Sequence, residues 1–312
     1  HTAYRRQRQM CIRDRLYALV VVIWGTTWIA ISLQQQSGIS PNVAVFWRFF
    51  ISALVLFAFV VLCRKLQKLA VKDHLFCVLQ ACCIFGFNFV CFYYAVQYIS
   101  SGLEAVIFSM AVIFNTLNAK LFFGQQVSTR FYPAALLGGL GIIALFWHDV
   151  IGSTLNNHTL MGIGLCVLGT YGFSLGNMIS ARHQKQGLDI FTTNAYGMLY
   201  GSILMALIAG FKQDEFFPTM EFSAVSALLY LAVFGSVIGF TAYFYLVGRI
   251  GAGKAAYSTL LFPLVALVIS TIWEGYQWHM NAIIGVILIL CGNAIFFIKP
   301  PKLKFSQMLK RS

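Results

Sequence analysis

The sequence predicts an all-α membrane protein in which ten transmembrane helices form two inverted five-helix repeats. Three observations support this fold class: the composition, the number of apolar segments and the similarity between the two halves of the chain. Of the 312 residues, 59% are hydrophobic and only 10% are charged, and the mean hydropathy is +0.78. A soluble domain of this size needs a surface rich in charged residues. The composition therefore indicates a chain whose surface mostly faces lipid.

Ten apolar segments have the character of membrane spans, each of which takes roughly 20 residues of α-helix. Spans 1 to 5 are predicted at Leu16–Leu33, Asn42–Cys63, Leu75–Ile99, Gly102–Phe123 and Phe131–Trp147. Spans 6 to 10 are predicted at Leu160–Ser180, Thr193–Phe211, Ala224–Val247, Ala255–Trp273 and Asn281–Ile298. Each half of the chain thus contributes five spans.

The two halves resemble one another when one is slid over the other without a gap. The segment Gly102–Leu145 then aligns with Gly253–Phe296, and the identities at matching places include Gly102 with Gly253, Ala105 with Ala256, Gly124 with Gly275 and Gly141 with Gly292. A duplicated unit with an odd number of spans must enter the bilayer in opposite orientations. Such inverted repeats are typical of carriers that alternate access to a site near the midplane. The predicted repeats are 16–147 and 160–298.

The net charge of +13 is distributed unevenly over the predicted loops. If the N-terminus is cytoplasmic, most Lys and Arg residues lie in cytoplasmic loops or in a basic tail at 299–312, whereas Asp149, Asp214, Glu215 and Glu221 lie on the other side. The basic loop residues are Arg64, Lys65, Lys68, Lys72, Arg130, Arg182, Lys185 and Arg249. This positive-inside bias predicts that both termini are cytoplasmic. The charge therefore indicates contact with an anionic lipid leaflet and not nucleic-acid binding.

Residues 1–15, HTAYRRQRQMCIRDR, differ in character from the rest of the chain. The run RQMCIRDR resembles a translated sequencing-adapter fragment, so we interpret 1–15 as a non-native leader. The alternative is a natural basic leader. The charge asymmetry persists when these residues are left out.

Motifs for metal, nucleotide or protease chemistry are absent from the sequence. The eight Cys include no CxxC pair, the six His form no HExxH motif, and no P-loop occurs. We therefore predict no catalytic residue, no metal site and no cofactor. The cysteines are expected to pack as small apolar residues.

Several motifs resemble a known family. They are GFTAYFYLVGRIGAGKAAYSTLLFPLVALVISTIWE at Gly239–Glu274, WGTTWIAI at Trp24–Ile31, FWRF at Phe46–Phe49 and QYISSGLEAVI at Gln97–Ile107. In order and spacing they resemble the drug/metabolite transporter superfamily, and specifically its EamA-type family. The resemblance covers residues 16–298 as two EamA-like repeats. It implies a ten-span carrier of the bacterial inner membrane, of a kind that often exports amino acids or other small metabolites.

Two positions depart from the family pattern. Val112 in span 4 stands where span 9 has Pro263, and Gln125 replaces the acidic residue that commonly follows the Gly at the end of that span. We therefore expect span 4 to be straighter than span 9.

Three charged residues are candidates for the transport pathway. Arg48 lies about two turns into span 2, where a charge is costly unless it faces protein or a water-filled cavity. It could clamp a substrate carboxylate, or snorkel or pair structurally. Glu104 could pair with Arg48, gate the mouth or carry a proton, although capping the start of its helix is the simpler interpretation. With Lys254 it could form a pair of gates, unless Lys254 only follows the positive-inside bias.

Uncharged side chains within the spans complete the candidate substrate cavity. Small and aromatic residues of spans 1 and 6 could form a flat wall, hydroxyls could bind a polar metabolite, and a proline could free a backbone carbonyl. Each has a structural alternative as helix packing or interhelical hydrogen bonding. These candidates are Trp24, Thr27, Asn88, Tyr94, Tyr171, Ser174, Tyr243, Tyr257 and Pro263. The remaining tryptophans, including Trp28, are assigned to the interfacial aromatic belt.

These observations together predict a secondary transporter that moves small amphipathic organic metabolites, such as amino acids, outward by alternating access. Its partners would be the substrate and the bilayer, and it would work as a monomer or homodimer. A membrane-embedded enzyme is less well supported because the charges within the spans are scattered. A non-transporting membrane subunit stays open, and a close-packed interior would favour it.

The charge bias predicts the side of the membrane on which the loop after span 7 lies. A Thr219→Cys variant should react with an impermeant thiol reagent in intact cells, because this loop is expected outside. A Lys68→Cys variant is the matched control and should react only after the membrane is permeabilised. The reverse pattern would invert the predicted topology.

Overall fold

The computed structural model describes residues 2–145, 147, 157–218, 221–255 and 261–297. Within these ranges, spans 1 to 5 are formed by Thr2–Gln35, Pro41–Leu62, Val71–Ala95, Ser101–Phe123 and Phe131–Leu145. Spans 6 to 8 are formed by Asn157–Lys185, Ile190–Lys212 and Phe222–Ile250. Span 9 consists of Ala252–Ala255 and Phe262–Trp273, and span 10 is Met280–Phe297. Every predicted span thus coincides with helix in the described residues.

The helices have the length and composition of a multi-pass membrane protein. Seven of them, spans 1 to 4 and 6 to 8, are long and apolar enough to cross a bilayer. Spans 5, 9 and 10 are represented by shorter apolar helices within the described ranges. No strand occurs in those ranges. The predicted all-α membrane fold is therefore confirmed.

Helix packing follows the two-fold relation that inverted repeats require. Span 5 packs mainly on span 10, span 2 on span 7 and span 4 on span 9, so each helix contacts its counterpart in the other repeat. Span 1 contacts span 8, and its counterpart span 6 contacts span 3. Spans 1, 3, 4, 6, 8 and 9 surround the centre of the protein.

The pair of spans 5 and 10 shows why glycine is needed at matching places. A Cβ on Gly141 would lie 2.5 Å from Ile289 Cγ1, and a Cβ on Gly292 would lie 2.8 Å from the Ala134 carbonyl oxygen. Close helix packing in a membrane relies on such small residues because lipid supplies no hydrophobic force between helices. The aligned glycines of the two repeats therefore serve one contact between these two helices.

Spans 3 and 8 each contain a π-helical segment at the corresponding position. The segments are Ala81–Phe87 in span 3 and Leu231–Ile238 in span 8. Within the second, the Ser236 hydroxyl donates to the Leu231 carbonyl at 2.9 Å. A π-helical turn accommodates one extra residue and is frequent at functional sites. Both segments lie about midway along their spans.

The structure describes the helix at both positions that bear on the shape of spans 4 and 9. Span 4 is interrupted at Ser109 and Met110, between Phe108 and Ala111. The expectation that span 4 is straighter than span 9 stays a prediction, because residues 256–260 of span 9 lie outside the described residues. Pro263 lies in the first turn of Phe262–Trp273 and not in a helix interior. A proline costs nothing there because the N–H of the first turn has no helical partner.

The boundaries of the predicted domains stay predictions. The helix of span 1 begins at Thr2, so the backbone of the predicted leader is continuous with it. The basic tail at 299–312 lies outside the described residues.

The contact between spans 5 and 10 gives a stability prediction. A Cβ on Gly285 would lie 2.5 Å from the Leu145 backbone nitrogen, whereas Gly139 has no atom within 4 Å of its added Cβ. Gly285→Ala should lower the free energy of unfolding in lipid–detergent micelles by about 1–3 kcal/mol, because backbone cannot move aside as a flexible side chain can. Gly139→Ala is the matched control and should change it by no more than about 0.5 kcal/mol. Equal effects would contradict the close contact.

Candidate functional site

A small cavity lies at the centre of the protein. Its volume is about 30 Å³, enough for about two water molecules. Seven spans contribute to its wall, which is mostly aromatic. The lining residues are Trp24, Thr27, Trp28, Ile31, Arg48, Asn88, Phe89, Phe92, Phe108, Phe173, Phe240 and Phe262. We call it the central cavity.

Arg48 is the charged residue of this wall, and it is 1% exposed. Its Nε donates to the Ser236 hydroxyl at 2.9 Å, and its guanidinium lies 4.2 Å from the centre of the Phe89 ring. A Cβ on Gly235 would lie 3.3 Å from Nη2, so the π segment of span 8 presents glycine where the guanidinium packs. A cation–π contact of this kind is worth roughly 0.5–2 kcal/mol. This contact offsets only part of the free-energy cost of burying a full charge.

Two hydrogen-bond donors of the wall are left without partners. Nη1 of Arg48 and Nε1 of Trp28 are buried and make no hydrogen bond within the described residues. Buried polar groups are nearly always paired, so an unpaired one needs an explanation. Both groups can only donate. The central cavity is therefore chemically matched to a ligand that brings acceptors and negative charge.

Other polar groups of the wall are already paired within the protein. The Trp24 indole N–H donates to the Gly235 carbonyl at 3.2 Å, and the Thr27 hydroxyl donates to the Trp24 carbonyl at 2.9 Å. The Asn88 side-chain amide donates to the Gly169 carbonyl at 2.7 Å and joins spans 3 and 6. These bonds fix the wall and, among the described residues, leave Arg48 Nη1 and the Trp28 indole N–H as donors without a partner.

A polar layer closes the central cavity on one side. The Asn177 amide donates to Asn115 Oδ1 at 3.1 Å and to the Tyr243 hydroxyl at 3.2 Å, which joins spans 4, 6 and 8. Beyond this layer a cleft of about 210 Å³ opens between the ends of the same spans and span 9. We call this side the Lys185 end, because Lys185 lines the cleft with Gln184 and Gly248.

The opposite side, the Glu104 end, is closed by helix contacts. A Cβ on Gly102 would lie 2.8 Å from Ser270 Cβ, so spans 4 and 9 touch there. The Tyr93 hydroxyl donates to Gln34 Oε1 at 2.9 Å and joins spans 3 and 1. The central cavity thus lies between the polar layer and these contacts.

Four of the predicted site residues line the central cavity: Trp24, Thr27, Arg48 and Asn88. Tyr243 lies one layer away, with its ring centre 4.8 Å from that of Trp24. Pro263 is buried next to the lining residue Phe262. Their roles in substrate binding stay predictions.

Other predicted residues lie elsewhere. Tyr171 is 39% exposed and packs on Phe114 at the surface of the bundle. Tyr94 is half-buried beside Lys212 near the Glu104 end, because it lies about 100° around the helix from the buried Tyr93. Ser174 accepts a hydrogen bond from Asn118 between spans 6 and 4.

The role of Glu104 and Lys254 as gates stays a prediction. Glu104 is fully buried near the start of span 4, and no ion pair joins it to Arg48 in the described part of the chain. Its side chain does not bond the backbone of its own first turn. Tyr257 and the side chain of Lys254 lie outside what the structure describes.

Sequence reasoning missed Trp28 and the phenylalanines. Trp28 was assigned to the interfacial belt, but it is 6% exposed and packs edge-on against Phe92 and Phe108. The signal was the spacing of Trp24, Trp28 and Ile31, which places three large residues on one helix face. Ser236, the partner of Arg48, carries no comparable signal in the sequence.

Comparisons with known proteins agree with this architecture. The chain is 26% identical to the uncharacterized transporter YoaV of Bacillus subtilis, covering 88% of this chain and 92% of that protein. It is 27% identical to the uncharacterized inner membrane transporter YedA of Escherichia coli, covering 91% and 92%. Protein PagO of Salmonella typhimurium is 24% identical, covering 89% and 90%.

A solved crystal structure shares the fold over 96% of this chain and 99% of its own, with a TM-score of 0.65 and 16% identity. The model of the EamA-like transporter family matches residues 15–147 and again residues 160–298. These two matches coincide with the two repeats and span most of the sequence. The chain is therefore a multi-pass membrane protein that belongs to the EamA-like transporter family.

Proposed function

We propose that this protein is a secondary transporter for small organic solutes that combine an apolar body with a carboxylate, such as amphipathic organic acids and apolar amino acids. The observation that carries the proposal is the pair of unpartnered donors in the central cavity, Arg48 Nη1 and Trp28 Nε1. A carboxylate would accept from both and neutralise the buried guanidinium. Charge-assisted hydrogen bonds of this kind are among the strongest in proteins.

The rest of the wall suits the apolar part of such a solute. Eight aromatic residues line the central cavity, and large rings bury much apolar area. None of the lining residues is acidic, so an ammonium group would find no charged partner in this wall. We infer that the carboxylate, and not an amine, is the group that the cavity selects.

The closure of the cavity supports alternating access as the mechanism. The Asn115–Asn177–Tyr243 layer and the contact of span 4 with span 9 act as two barriers, and opening one at a time would expose the site to one side. Carriers with inverted repeats hold their site between the halves in this way. A non-transporting subunit would have no use for a buried guanidinium with an unpaired N–H group. The proposal includes no catalytic step.

We infer the orientation of the protein in the membrane from its charge distribution, and the direction of transport from the position of the cleft. Arg64, Lys65, Arg130 and Lys185 belong to the Lys185 end, so we place that end in the cytoplasm of a bacterial inner membrane, with both termini. The cleft at this end would then admit solute from the cytoplasm, which favours export. We expect a monomer or a homodimer.

Arg48→Lys tests the clamp. The variant keeps the charge but loses the planar, two-pronged donor. In proteoliposomes, half-saturation for phenylacetate should rise by about tenfold to a hundredfold, as expected when a charged hydrogen bond worth about 1.5–3 kcal/mol is lost. Transport of neutral phenylacetamide should change little. Arg249→Lys, which alters an exposed arginine bonded to Tyr245, is the matched control. Equal loss for acid and amide would contradict the clamp.

Trp28→Phe tests the second donor separately. The substitution keeps an aromatic ring in the wall and removes only the indole N–H. Affinity for phenylacetate should fall by about tenfold, while affinity for toluene-like neutral solutes should be retained, since only an acceptor needs the N–H. Trp47→Phe is the control, because Trp47 donates to the Phe216 carbonyl away from the cavity. An unchanged affinity for the acid would remove Trp28 from the proposal.

A further inference from the structure

The carboxyl group of Glu104 has an environment that the transport proposal does not use. The residue is 0% exposed, and its Oε2 has no hydrogen-bond partner among the described residues. Its neighbour is the thiol of Cys166 on span 6, with Sγ 4.0 Å from Oε1. A carboxylate buried within spans without a cation is strongly disfavoured. The closed structure is therefore suited to the neutral, protonated form of Glu104.

Glu104 lies in the first turn of span 4, in which Gly102 packs on Ser270 of span 9, and we call that contact the span 4–span 9 seam. The Glu104 side chain itself lies beside Cys166 of span 6. At the seam, Glu274 at the end of span 9 accepts from the Ser101 backbone N–H at 3.1 Å and from the Ser270 hydroxyl. The start of span 4 is thus already capped by a carboxylate from span 9. Glu104 is not needed for that role, and its own oxygen is left unpaired.

The groups around Glu104 offer it no positive charge. Span 9 contributes Glu274, span 6 contributes Cys166 and, nearer the end of the helix, His158, and the half of span 1 from Trp24 to Gln35 contains no titratable residue. Span 4 carries Lys120 at its far end. Among the described residues no ion pair involves Glu104. Two carboxylates on facing helices repel when both are ionised, so closing the seam favours uptake of a proton.

We propose that Glu104 is a proton-binding site that gates the Glu104 end of the transport pathway. This inference rests on the proposed function, because a gate presupposes a pathway. When the seam opens, water reaches the carboxyl, its O–H bond breaks and the proton passes to water on that side. When the seam closes, the carboxylate takes a proton back. The closed state holds one more proton than the open state, so acid on that side keeps the pathway shut.

A metal ion does not fit the same place. Sodium or calcium needs several oxygen ligands, whereas the nearest described partner of Glu104 is a thiol. No cluster of metal-binding side chains occurs in the described residues. A proton is the ligand that one unpaired carboxyl can hold.

Cys166 provides a readout that needs no substrate, since it is fully buried beside Glu104. A water-soluble reagent is expected to reach it when the helices around Glu104 separate. The full-length protein in lipid nanodiscs is labelled with a small water-soluble maleimide between pH 6 and 8, and the Cys166 peptide is quantified. Thiol ionisation alone raises the rate up to about tenfold per pH unit, and a one-proton gate multiplies this by up to about tenfold more. Wild type should therefore show a clearly steeper slope than Glu104→Gln.

Three comparisons make the outcome decisive. Glu104→Asp retains a carboxyl and should keep the steep slope, and Glu215→Gln, which alters an exposed loop carboxylate, should behave as wild type. Infrared spectra at neutral pH should show a protonated carboxyl band in wild type that Glu104→Gln lacks. Equal slopes in wild type and Glu104→Gln, or no such band in wild type, would overturn the proposal. Labelling that depends on sodium when pH is fixed would also overturn it, in favour of a cation.

These measurements separate the gate from the transport proposal. Labelling and infrared spectra do not involve phenylacetate, so they can succeed if the carboxylate clamp fails. Conversely, phenylacetate transport that depends on Arg48 can persist when Cys166 labelling shows no gate.

Discussion

The arrangement of the central helices depends on one constraint, the presence of a guanidinium inside a bundle that spans the membrane. The charge of Arg48 cannot be left against lipid, so spans 3 and 8 must supply a ring, a hydroxyl and a glycine around it. The ring comes from span 3, and the hydroxyl and the glycine both come from span 8, so Arg48 of span 2 contacts one helix of each repeat. Trp24 then packs over the same region by bonding the Gly235 carbonyl. The wall of the central cavity is thus arranged around the guanidinium of Arg48.

The π segments of the two repeats pack against different kinds of residue. In the second repeat, the π segment of span 8 presents Gly235 to Arg48 of span 2. In the first, the π segment of span 3 carries Phe85, which packs with its ring on Gly197 and with its Cβ and backbone on Gly201 of span 7. One repeat thus places a large apolar residue against glycines, and the other places glycine against a charge. The two π segments correspond in position, while only that of span 8 presents a glycine to a buried guanidinium.

The fold was largely accessible from the sequence because hydropathy reports directly on contact with lipid. All ten spans and the pairing of repeats could be anticipated, since an odd number of spans allows only an inverted arrangement. The candidate site was harder to predict, because the position of a residue along a helix does not give the direction in which its side chain points. Trp28 was placed at the interface and Tyr94 in the cavity, yet the structure has Trp28 inside and Tyr93 buried in place of Tyr94. The break in span 4 and the two π segments have no counterpart in the hydropathy pattern, so the sequence did not predict them.

The π segments also bear on the history of the chain. A π turn arises when one residue is added to an α-helix, and such an addition rotates every side chain beyond it by about 100°. Ala81–Phe87 and Leu231–Ile238 occupy the same place in the two repeats, although their sequences differ. The simplest account is a single insertion in an ancestral five-helix unit, which was later duplicated and inherited by both halves. On this view the π segment predates the divergence of the two repeats, and the copy in span 8 is the one that now packs against Arg48.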